Sequence, residues 1–163
     1  MKKILIVLTA VLLIMLSACG SEENKSSGPY AFHGVTVTIP DGYIVDASRS
    51  DDNTQWFDSA WTKEQILIYR AEPPVEGTIG DESVNEDYGK LIQSYDEVSD
   101  FSSKESSVDD IPALDCRYIQ EEQHVLASYF SKGDYIYGIM MFNKYEYSTE
   151  AYEEMISSVT VEK

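Results

Sequence analysis

Apolar and polar residues alternate along most of this chain with a period of two, broken twice by stretches of helical period. Val35, Val37 and Ile39 are separated by Thr36 and Thr38, the pattern of a strand with one face buried. Pro40-Asp41-Gly42 stops it, and residues 43–47 resume as a second short strand. Beyond a polar loop at 48–53, residues 55–61 and 64–72 predict a hairpin that turns near Thr62-Lys63. Ile66 and Ile68 point one way and Leu67 and Tyr69 the other, so this strand is expected to be covered on both faces. Pro73-Pro74 ends it, because proline has no amide hydrogen to give a ladder.

From Ser83 the period changes. Tyr88, Leu91, Ile92, Tyr95 and Val98 recur at helical spacing, and Ser83 with Glu86 matches a capping box, which predicts a helix over 83–98. Gly89 weakens it. Residues 100–110 are Ser-rich and acidic and are expected to loop back to the sheet. The strongest strand series follows at 111–120, 123–130 and 135–142, with Ser131-Lys132-Gly133-Asp134 as the turn of a hairpin. Ser148 is placed to cap a last helix in which Tyr152, Met155, Ile156 and Val159 share one face. The order predicts an α+β domain: a mostly antiparallel sheet of about six or seven strands with two helices packed on it.

The first residues follow another pattern. Lys2 and Lys3 precede an apolar run over 4–16, shorter than the ~20 residues a spanning helix needs, and the run closes on Leu16-Ser17-Ala18-Cys19. This segment resembles the signal peptide of bacterial lipoproteins, in which an aliphatic and two small residues precede a cysteine. The resemblance implies cleavage between Ala18 and Cys19 and a diacylglyceryl lipid on the Cys19 sulfur. The other reading of these residues is an ordinary secretory signal or an uncleaved anchor. Two acyl chains, at about 0.8 kcal/mol per buried methylene, hold a soluble domain at a bilayer where one would not. Residues 1–18 therefore read as signal peptide, 19–29 as lipidated cysteine and polar tether, and 30–163 as a single globular domain. The expected place is the cell membrane, lipid-anchored, on the extracytoplasmic side.

Charge narrows the partners. The chain has 12 basic and 29 acidic residues, a net charge of -17 that becomes -19 once Lys2 and Lys3 leave with the signal. Such a surface repels phosphate backbones and anionic headgroups, so nucleic acid is excluded and the lipid must supply the membrane affinity. With Cys19 lipidated, Cys116 is the remaining thiol, so no intrachain disulfide can form. It alternates with Leu114 and Tyr118 and reads as a small buried hydrophobe.

Catalytic signatures are missing: the imidazoles are His33 and His124, and no GxSxG, SxxK, Walker or HExxH pattern occurs. The chain reads as non-enzymatic, with no cofactor and no metal. Asp51-Asp52-Asn53 lacks the spacing of a calcium loop. The neighbours in Asp109-Asp110, Glu121-Glu122 and Glu153-Glu154 diverge on any regular element, so these pairs are expected on solvated faces. Aromatic residues are the feature left over. Trp61, Tyr145 and Tyr147 form the candidate partner surface, with Tyr145 and Tyr147 in a loop where packing explains them least.

The strand running into Ile39-Pro40-Asp41-Gly42-Tyr43, and the Tyr-rich last strand followed by a helix ending Ile156-Ser157-Ser158-Val159, resemble small PsbP-like bacterial lipoproteins. The resemblance implies an α/β/α sandwich around an antiparallel sheet, often without enzymatic activity, that binds or assists membrane-associated assemblies. It carries over no catalytic residue. The expected function is a lipid-anchored binding or assembly module with a protein partner. The competing reading is a small cell-envelope hydrolase, which needs His33 or His124 beside an acid in a pocket. Cys19→Ala is expected to abolish metabolic labelling with a fatty acid and leave unprocessed precursor; normal processing of that variant would contradict the lipobox reading.

Overall fold

Alternation becomes strand almost residue by residue through the middle of the chain. The computed structural model describes residues 27–162, so the expected signal segment, Cys19 and most of the expected tether lie outside the described residues. The elements are β1 (Gly28–Phe32), β2 (Val35–Ile39), β3 (Tyr43–Val45), β4 (Thr54–Ser59), β5 (Gln65–Ala71), α1 (Glu82–Gln93), β6 (Val98–Val108), β7 (Ile111–Gln120), β8 (Gln123–Lys132), β9 (Tyr135–Asn143), α2 (Thr149–Ser157) and β10 (Thr160–Val161). Seven strands form one antiparallel sheet in the order β3-β4-β5-β9-β8-β7-β6, while β1, β2 and β10 form a separate three-stranded sheet.

Both faces of the large sheet are buried. On one, Phe57, Ile66, Ile68, Phe130, Ile139 and Met141 pack against Val35, Val37 and Ile39 of the small sheet and Tyr152 and Met155 of α2. On the other, Leu114, Cys116, Tyr118, Val125, Ala127, Tyr129 and Met140 pack against Val84, Tyr88 and Ile92 of α1. The central strands β8 and β9 accordingly lose their alternation and run buried over 125–130 and 136–141. The fold is the expected α+β one, with the added feature that the first two strands leave the main sheet. The reason lies in β2, whose threonines face away from the core: it serves as a lid over apolar surface.

Three local expectations change. Residues 98–108 form an eleven-residue edge strand, β6, paired with β7 through backbone hydrogen bonds. Its outer edge faces water, so it never needed a hydrophobic period. Helix α1 begins after an Asp81 N-cap instead of using the Ser83–Glu86 box, and Asn85 Oδ1 accepts from the Gly80 amide at 3.0 Å. It ends at Gln93, leaving Tyr95 beyond it and 49% exposed. Asp109-Asp110 and Glu121-Glu122 are the centres of two-residue hairpin turns, with φ of 47°, 64°, 48° and 63°. Positive φ at both central residues is the signature of the type I′ turn that matches strand twist.

A buried tyrosine cluster fills the α1 side. The Tyr69 and Tyr88 hydroxyls are 3.3 Å apart, as are those of Tyr118 and Tyr129. Tyr69 lies flat over Gly138, where a Cβ would come within 2.4 Å of its ring. Burial among these rings pushes the Cys116 thiol up to about 12, so it stays protonated and inert. No helix among the described residues is long and apolar enough to cross a membrane.

Candidate functional site

The loop between β4 and β5 is built by its own side chains. Ser59 Oγ accepts from the amides of Trp61 and Thr62 at 3.3 and 3.1 Å, and the Ala60 amide donates to the Gly42 carbonyl at 2.7 Å. This lays the Trp61 indole against Gly42. A Cβ there would sit 2.1 Å from the ring, and the backbone has φ +88°, so the position requires glycine twice over. The rest of the indole is open to solvent: Trp61 is 79% exposed.

Tyr145 meets Trp61 across a groove of about 600 Å³ that Lys63, Glu64, Asn143 and Glu146 also line. Tyr145 is 69% exposed, and its amide donates to Asn143 Oδ1 at 2.9 Å. A smaller concavity of about 360 Å³ shares Thr62, Lys63 and Glu64 with this groove and continues to Gln123 and Lys144.

Beneath the groove is the Glu64 carboxylate. Its Oε2 accepts from Thr62 Oγ1 at 3.0 Å and from the Tyr43 hydroxyl at 3.2 Å. Its Oε1 accepts from Asn143 Nδ2 at 3.1 Å and from Ser148 Oγ. Asn143 Nδ2 also donates to Ser148 Oγ at 2.8 Å, so the amide uses both hydrogens and the serine hydroxyl passes its own on. Ser148 is the N-cap residue of α2, yet its side chain bonds no helix amide; its Oγ accepts from Asn143 and donates to Glu64 instead. Burial and the neighbouring Glu64 charge hold the Tyr43 phenol well above its ordinary range.

Tyr147 lies elsewhere. It is half-buried, the Arg117 guanidinium carbon lies 3.7 Å from its ring centroid, and His124 meets it edge-on at 4.7 Å. Of the three candidate aromatics, the fold brings Trp61 and Tyr145 together and packs Tyr147 against other side chains. The imidazoles do not converge. His33 Nε2 is 2.5 Å from the Asp52 carbonyl oxygen, and its own carbonyl accepts from Lys132 at the end of β8. His124 stands at the start of that same strand.

The cations divide in the same way. Arg49 pairs with Asp46 and Asp58, Arg70 bonds Asn53, Lys90 pairs with Glu86, Lys104 lies near Asp115, Arg117 covers Tyr147, and Lys132 bonds backbone carbonyls. Among the described residues, Lys63 and Lys144 are the cations without such a partner, and both border the joined concavities. Nothing in the sequence distinguished Lys63, Glu64, Asn143 or Lys144; only their meeting at one end of the sheet does.

No protein-family model matches the chain, and no curated protein sequence does. Among solved structures it is similar to the cyanobacterial PsbP protein (CyanoP) of Synechocystis, with a TM-score of 0.60 and 17% identity over 88% of this chain and 97% of that one. It is also similar to a protein from Bacteroides thetaiotaomicron, with a TM-score of 0.51 and 10% identity over 85% of this chain and 49% of that one. The fold is therefore PsbP-like. Gly42→Ala is expected to cost about 1–2 kcal/mol for the left-handed backbone and to dislodge the indole. In a Trp56→Phe background, the fluorescence anisotropy of Trp61 should fall; unchanged anisotropy would show that Gly42 does not hold the ring.

Proposed function

We propose that the chain is a lipid-anchored extracytoplasmic module without catalysis of its own, and that it engages a protein partner at the groove between Trp61 and Tyr145. The observation that carries this reading is the pairing of two large aromatics, 79% and 69% exposed, across one concavity. Tryptophan and tyrosine dominate binding energetics because they bury much area at little entropic cost and keep a polar tip for water. Trp61 is set on Gly42 in advance, which lowers the cost of ordering it on contact. Lys63 and Lys144 offer positive charge at the edge of an otherwise strongly acidic surface, where they pair at short range with acidic groups of a docked partner.

The lipid on Cys19 places the domain at the membrane in this reading, and the groove selects what it meets there. A hydrolase would need an imidazole beside an acid in a pocket, whereas the His33 ring contacts the backbone carbonyl of Asp52 and the His124 ring packs edge-on against Tyr147. In intact cells, a photoreactive residue at position 61 should crosslink one specific protein. Trp61→Ala or Tyr145→Ala should weaken its capture by about thirtyfold, the scale of an interface hot spot, with the melting temperature nearly unchanged. Tyr147→Ala should instead lower the melting temperature. Undiminished capture by both groove variants would overturn the reading.

A further inference from the structure

On the sheet face that carries α2, the outer strands β6 and β7 leave a second pocket of about 300 Å³, lined in part by Lys104, Asp115, Arg117, Thr149, Tyr152 and Glu153. One row of paired residues crosses the sheet toward it: Ile68, Ile139, Ser128, Asp115, Lys104. The row turns from apolar to polar inside the domain, at a serine with no exposed surface. Ser128 Oγ donates to Asp115 Oδ1 at 2.5 Å and lies 2.7 Å from the Tyr152 hydroxyl.

A serine has one hydroxyl proton, and Asp115 receives it. The Tyr152 hydroxyl must then be the donor to Ser128, which fixes the order Tyr152 to Ser128 to Asp115. Burial holds the Tyr152 phenol well above its ordinary range, so it keeps the proton this order needs. Both ends of the chain are left with acceptors. Tyr152 Oη keeps a lone pair, and Asp115 Oδ2 accepts no hydrogen bond, with Lys104 Nζ 3.7 Å away. The Asp115 side chain is 21% exposed, and it lines the pocket together with the largely buried Tyr152.

The rim is of opposite character. The Arg117 guanidinium carbon lies 3.7 Å from the Tyr147 ring centroid, its N–H groups make no hydrogen bond or ion pair among the described residues, and Lys104 stands on the neighbouring strand. Two cations and two carboxylates line the pocket, a local balance in a chain of net charge -17. A wholly anionic or wholly cationic guest would leave one half of that lining without a partner.

We propose that this pocket binds a small zwitterion of the α-amino acid type. Its ammonium sits on Asp115 Oδ2 and Tyr152 Oη, and its carboxylate between Lys104 and Arg117. The volume stands at the small end of ligand sites, the size of one amino acid. This site is independent of the aromatic groove.

Isothermal titration of the full mature chain in detergent with a panel of L- and D-α-amino acids tests it. Each binder is compared with its own desamino acid and its own decarboxylated amine. At least one amino acid should bind saturably, and removal of either charged group should weaken binding at least about tenfold, since each makes hydrogen bonds to ions. Arg117→Gln should erase the preference for the amino acid over the amine, and Tyr152→Phe should weaken the amino acid more than the desamino acid. Asp115→Asn also disturbs Ser128, so the ligand series on the unaltered chain decides. No saturable binding at about 10 mM, or equal binding of the amino acid and either truncated analogue, would overturn the proposal.

Discussion

The half-buried carboxylate of Glu64 accepts hydrogen bonds from Tyr43, Thr62, Asn143 and Ser148. Those donors belong to β3, the β4–β5 loop, the end of β9 and the start of α2, four segments that meet at one end of the main sheet. A carboxylate taken from water must be satisfied by the protein, and a donor left without it carries its own desolvation cost. The arrangement therefore has few alternatives. It fixes where β5 begins, turns the chain after Asn143 toward α2, and draws the capping serine away from the helix. Trp61 and Tyr145 stand on the two segments that this anion joins.

The rest of the domain confines its described concavities to the margins of the sheet. Apolar packing on both faces of β5, β9 and β8 makes the centre of the sheet rigid and chemically silent, including Cys116 among its tyrosines. Polar character enters where strands end and, from the buried Ser128 of β8 outward, toward the β6 edge of the sheet. At the strand ends it builds the aromatic groove over Glu64. At the β6 edge it builds the pocket over the hydrogen-bonded chain of Tyr152, Ser128 and Asp115. The two sites differ in chemistry as the places do: a broad open trough at the end, a small lined pocket at the side.

Where burial imposes a period, the sequence was a sound guide. Strands β2, β4, β5, β7, β8 and β9 and helix α2 follow their hydrophobic patterns closely. The misses have separate causes. Strand β6 is held by backbone bonds at a wet edge, so its serines carry no period. Asp109-Asp110 and Glu121-Glu122 occupy left-handed turn positions usually given to Asn and Gly, so their acidity hid the turn type, even between 120 and 123 where the expected strand ends match β7 and β8. The small sheet stood apart because a one-faced strand reads the same in a lid as in a main sheet. Tyr145 and Tyr147 are two residues apart in one loop, and only the tertiary position of Arg117 and His124 shows that one is packed and the other exposed. Glu64 is one acid among 29 acidic residues, and its four donors come from segments up to 84 residues away in sequence.

Amide hydrogen exchange of the Glu64→Ala chain tests most directly whether this anion holds the end of the sheet together. If it does, exchange accelerates by a common factor at residues 42–44, 59–64 and 143–149, while the β6–β7 hairpin keeps its protection. Acceleration confined to 59–64, with 143–149 unchanged, would contradict the dependence of the groove on Glu64.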